Sequence, residues 1–108
     1  MLPFNELART QEYWMTTIQC NLYLLVLDYA VAQKWPVHPN KQLAELLDIT
    51  RIKASQIING DFDGTLAELI EYSLKLGAAP LISFDSLDNY MDNHLAGNNP
   101  YLQYKGKK

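Results

Sequence analysis

Apolar positions recur at helical spacing through most of this chain, and polar breaks separate them into segments. From Gln11 to about Lys34, Trp14, Ile18, Leu22, Leu25 and Tyr29 follow steps of three and four, which draws one apolar stripe along a long helix. Thr10 has the chemistry to cap its start, and Glu12 in the first turn suits the helix dipole. Tyr23, Leu27, Ala30 and Val31 draw a second stripe on another side. A helix apolar on two sides must be covered on both. One side faces a core, and the other needs the C-terminal tail or a second copy of the chain, so a homodimer is expected. Trp35-Pro36 ends the helix, because the residue before a proline avoids helical backbone angles.

Three shorter helices follow. Asn40 is expected to cap a helix over Lys41–Leu47, with Leu43, Ala44, Leu46 and Leu47 apolar and Glu45 outside the stripe. Asp48 breaks it, Ile49 dips into the core, and Thr50 caps a second helix over Arg51–Ile58 that stops at Asn59-Gly60. Thr65 and Glu68 sit three apart before an apolar run and form a capping box. The helix they launch carries Leu66, Leu69, Ile70, Ser73, Leu74 and Leu76 and ends at Gly77. Pro80–Phe84 (PLISF) has strand character and would pair with another copy or with the tail. Ser86–His94 holds one short helix, and Ala96–Lys108 is expected to lack fixed structure. The organisation is therefore an N-terminal arm over residues 1–9, one domain over 10–84, and a partly flexible tail over 85–108. The fold class is all-α, with a possible short C-terminal strand.

Composition narrows the class. At 108 residues, 48% hydrophobic and 19% charged, the chain suits one folded domain with a real core. The net charge of −3 counts against a protein that coats nucleic acid, yet leaves room for a local basic patch. Cys20 is the only cysteine, so an internal disulfide is impossible, and its apolar neighbours suggest a buried thiol. The N-terminus lacks a secretory pattern, and Leu22–Leu27 is too short a run to span a membrane, so a cytoplasmic protein is expected.

The segment Gln42–Gly60 is the one whose spacing points to a job. Ala44 is small where a second helix must cross closely, Asp48 tolerates a left-handed turn, and Ile49 anchors that turn. Ala54 and Ile57 face inward, leaving Arg51, Ile52, Lys53, Ser55 and Gln56 outward. Gln56 can pair bidentately with adenine and Arg51 with guanine, while Ile52 suits a thymine methyl. Asn40, Lys41, Thr50, Lys53 and Ser55 are the candidate contacts to the DNA backbone.

On Leu43-Ala44, Leu47, Asp48-Ile49-Thr50, Ala54-Ser55-Gln56 and Asn59-Gly60 the chain resembles the phage-repressor-type helix-turn-helix proteins, the Xre or Cro/C1 class. The likeness extends more weakly to Leu66–Gly77 and to Gln11-Glu12-Tyr13-Trp14, and covers about residues 10–84. It implies a lambda-repressor-like helical bundle that binds double-stranded DNA as a homodimer. It puts the groove-reading positions on Arg51, Ile52 and Gln56. Relatives of this shape also serve as antidotes in toxin–antidote modules, so a protein partner is the alternative. Two positions depart from the pattern: Asp48 replaces a turn glycine, and Asp61 and Asp63 stand where many relatives are basic. Carboxylates there would repel phosphate at short range.

Other chemistry finds little support. Asn59, Asp61, Asp63 and Gly64 match the start of a calcium loop, but the twelfth position is Ile70 where a glutamate is needed. Asp88, Asp92 and His94 lack a second cluster to complete a metal shell, and His38 lies in a loop. Tyr90, Tyr101 and Tyr104 suit packing better than stacking on single strands, and Lys105, Lys107 and Lys108 read as a solvated end. Neither an enzyme nor a metal or cofactor is expected.

Overall fold

The computed structural model describes residues 3–95. Among them are six helices and no strand: α1 (Phe4–Leu7), α2 (Gln11–Ala32), α3 (Asn40–Leu47), α4 (Arg51–Ile58), α5 (Leu66–Lys75) and α6 (Leu87–Leu95). The protein is an all-α bundle.

The core is assembled from one side of each of the four middle helices. Leu22, Leu25 and Val26 of α2 meet Leu43, Ala44 and Leu47 of α3, Ala54 and Ile57 of α4, and Tyr72 of α5 with the following Leu76. Leu43, Leu47 and Ile57 are the largest side chains wholly enclosed. Each such residue contributes about 1.5–3 kcal/mol by leaving water. Ile49 packs against this cluster from the turn, as expected.

α2 is the spine. Thr10 Oγ1 accepts from the Tyr13 amide at 3.2 Å and caps it. The helix ends at Ala32, two residues before the expected limit, and Lys34 takes a left-handed φ of 59° ahead of Trp35-Pro36. Its inner side buries Leu22, Leu25, Val26 and Ala30. The second stripe is real but differently composed: Leu27 and Val31 are exposed, joined by Ile18 from the first stripe, while Ala30 turns inward. Cys20 also lies on the exposed surface, so the expectation of a buried thiol was wrong; helical phase overrides the apolar neighbourhood read in sequence. At 22 residues α2 meets the length and apolarity needed to cross a bilayer, a property that the six-residue run Leu22–Leu27 understates.

The segments on either side of the core meet across the start of α2. Within the expected arm, residues 3–9 contain α1 and are docked, with Ala8 fully buried and its carbonyl accepting from Trp14 Nε1 at 2.7 Å. Phe4 stacks on His94 with ring centroids 4.3 Å apart. Tyr90 of α6 is buried against Trp14, and its hydroxyl hydrogen-bonds that of Tyr13. Tyr90 thus packs on the body, as the sequence suggested. Burial is the main cause, with the Tyr90 hydroxyl second, of a Tyr13 phenol that ionises well above its usual 10. The short helix expected over Ser86–His94 is α6, shifted by one residue.

Pro80–Phe84 is not a strand. The segment is irregular, with Leu81 and Phe84 almost wholly exposed, because β-branched and aromatic character cannot make a strand without a partner edge, and none lies alongside among the described residues. Tyr101, Tyr104 and the terminal lysines lie outside the described residues.

Candidate nucleic-acid interface

The α3–turn–α4 unit is built from local signals. α3 starts after Pro39, whose carbonyl accepts from Leu43 N at 2.9 Å. At its C-terminal end Asp48 adopts φ 58° and ψ 51°, and the Ile49 amide returns to Ala44 O at 3.0 Å. The left-handed residue reverses the chain within three positions. Lys75 Nζ of α5 donates to Leu47 O at 3.1 Å, which satisfies one of the open carbonyls at this end and opposes the dipole with a positive charge.

Thr50 then caps α4, accepting from Lys53 N at 3.1 Å. Ala54 and Ile57 turn inward, as the sequence placed them. α4 closes with Gly60 at φ 76° and the Asp61 amide bonded to Gln56 O at 2.7 Å. The exit loop is tied to the spine through Gln19 Nε2, which donates to Phe62 O at 2.7 Å. Gly64 passes so close that a Cβ there would lie 2.6 Å from both the Phe62 ring and Glu68 Oε1. Thr65 and Glu68 complete the expected capping box at the start of α5.

The rigid α4 leaves one side in solvent. Arg51, Ile52 and Gln56 are all exposed, Ile52 to 74%. Among the described residues neither Arg51 nor Gln56 makes a side-chain hydrogen bond or ion pair, and the same is true of Lys41. A guanidinium, a carboxamide and an aliphatic side chain thus project together from a helix held at both ends. That set matches the hydrogen-bonding and methyl features of base edges in a major groove.

The candidate backbone contacts fare differently. Asn40 is not the cap of α3: it lies inside the helix, and Pro39 takes the cap position. Its Nδ2 donates instead to Ser55 Oγ at 2.6 Å. Ser55 is accordingly half-buried rather than outward, and the pair fastens α3 to α4. The spacing of 15 residues between them hid this tie. The Thr50 hydroxyl is engaged in its own cap. Lys53 is exposed but ion-paired, its Nζ 3.0 Å from Glu68 Oε2. Lys41 remains the freest of the five.

The charge balance around α4 is mixed. Glu68, whose carboxyl is held below its usual range by the Thr65 amide first and by Lys53 next, stands beside the N-terminal turn of α4. Asp61 and Asp63 are exposed, and Asp63 shares a shallow hollow with Lys53 and Gln56. Among the described residues no group of three metal-binding side chains occurs, and the calcium-loop start at Asn59 is taken up by the α4 exit.

No protein-family model matches this chain, and no curated protein or solved structure matches it either. The site is therefore read from its own geometry.

Proposed function

We propose that the protein is a sequence-specific DNA-binding regulator of the phage-repressor type that acts as a homodimer inside the cell. One observation carries the reading: Arg51, Ile52 and Gln56 are exposed on a helix capped at both ends, and among the described residues neither the Arg51 nor the Gln56 side chain makes a hydrogen bond or ion pair. α4 would lie in the major groove, with Gln56 on adenine, Arg51 on guanine and Ile52 on a thymine methyl. Lys41 and Lys53 would touch phosphates. The exposed Leu27 and Val31 of α2 support pairing of two copies, which would set two reading helices about 34 Å apart, one turn of DNA. Occupying a promoter in this way represses it.

With so few free cations, binding should depend only moderately on salt. Lys41 and Lys53 from each of two copies give a slope of log K against log salt of about −3 to −4. The test is an electrophoretic mobility series on promoter fragments at several salt concentrations, with sedimentation to count protomers. Gln56→Ala should weaken preferred DNA by about 1–3 kcal/mol and leave random DNA nearly unchanged. An equal loss on both would rule out base reading.

A second reading is favoured by the carboxylates beside α4. Glu68 neutralises Lys53, and Asp61 and Asp63 face solvent, a surface better suited to a basic protein than to phosphate. The protein would then be an antidote-like or adaptor module that keeps the same helical arrangement. Co-purification of a basic partner without retention on DNA would favour it.

A further inference from the structure

Glu68 does two jobs with two oxygens. Oε1 accepts from the Thr65 amide at 2.8 Å, closing the capping box of α5. Oε2 reaches across to Lys53 Nζ at 3.0 Å, on α4. Lys53 sits in the first turn of a helix capped by Thr50, and the Glu68 carboxylate is pinned by the Thr65 amide. The pair is nonetheless open to water, the side chains being 54% and 29% exposed, so a phosphate can reach it.

We infer that Glu68 competes with DNA phosphate for Lys53 and so holds down the affinity of the α4 face. The inference rests on the DNA-reading proposal above. Lys53 projects beside Gln56 in the same shallow hollow, so a duplex seated on α4 brings a phosphate towards it. That phosphate must then displace Glu68 or share a cation whose charge is already cancelled. Counterion release is what drives phosphate binding, and a cation neutralised within the protein releases less. The Glu68 hydrogen bond first, and its negative charge next, push the Lys53 ammonium above its ordinary value. Because the competition concerns phosphate alone, it scales affinity for every sequence alike and leaves base preference untouched.

Glu68→Gln isolates the charge from the cap, since glutamine serves at this place in a capping box. Thermal unfolding verifies that the variant keeps its fold. Fluorescence anisotropy on the full chain then compares wild type, Glu68→Gln, Lys53→Met and the double variant. Each is titrated with preferred and random duplex between about 50 and 200 mM salt. Glu68→Gln should tighten both duplexes about two- to five-fold. It should also steepen the salt slope by up to about 0.9 per protomer, about 1.8 for a bound dimer. In the Lys53→Met background the gain should fall by at least half. No tightening, a weakening, or an equal gain in both backgrounds would overturn the inference while leaving the reading of DNA by α4 intact. Absence of duplex binding by wild type and every variant would overturn both.

Discussion

Two regions of this molecule reach order by opposite routes. The α3–turn–α4 unit is specified within twenty residues: Asp48 reverses the chain, Thr50 caps the next helix, and Gly60 ends it. The clasp that joins α1 and the start of α2 to α6 is specified across the whole chain, with Tyr13 and Tyr90 bonded 77 positions apart. The first region shares the central core, and the second lies outside it. A unit that presents a ligand-facing helix needs fixed geometry, and local capping together with core packing supplies it. The clasp only has to hold α1 and α6 against the spine, and aromatic rings tolerate several arrangements.

The comparison breaks most sharply in the core. Leu47→Ala removes a wholly enclosed side chain from the end of α3 and should cost about 2–5 kcal/mol, unfolding the bundle as a whole in urea. Tyr90→Ala should cost less, about 2 kcal/mol, and act locally. Hydrogen exchange should then speed up in α1, α6 and the first turns of α2, while α3 and α4 amides keep their protection. Loss of protection in α4 would mean that the two regions are one cooperative unit.

Alkali should discriminate in the same direction. The Tyr13 phenol ionises above its usual value in the fold, so the folded state gains stability below pH 10 and loses it as the pH rises beyond. The clasp should therefore open before the core does, and Tyr13→Phe should remove part of the alkaline loss. Tyrosinate absorbance followed beside helix content measures both.

Smaller effects sharpen the local side of the comparison. Thr50→Ala deprives α4 of its cap and should cost about 1 kcal/mol. Asp48→Gly relieves a non-glycine residue at φ 58° and removes a negative charge from the C-terminal end of α3. It should stabilise by about 0.5 kcal/mol in thermal unfolding, since left-handed backbone favours glycine.

This division also decides what could be read in advance. The limits of α4, the capping box at Thr65 and the left-handed Asp48 were legible because each depends on neighbours within four positions. Asn40 was expected as a helix cap, and Ser55 and Lys53 as outward groups; their actual partners were hidden because they lie 15 positions away, across a helix–helix contact. Glu68 was visible as a cap but not as an ion-pair partner for the same reason. The strand expected at Pro80–Phe84 has no edge to join among the described residues, and the short helix in the arm before Thr10, with Phe4 lying on an aromatic surface, depends on partners far along the chain. The outer stripe of α2 was legible as a pattern, though the exposed Ile18 and the inward Ala30 shift its phase.

The account rests on the exposed side of α4 reading base edges. Selection from random duplex DNA by the purified protein tests it most directly, run in parallel with Gln56→Ala. The account predicts a defined, two-fold related sequence for wild type, with preference relaxed at one position of each half-site in the variant. Recovery of unselected sequence by the wild type, or of the same sequence at the same strength by Gln56→Ala, would contradict it.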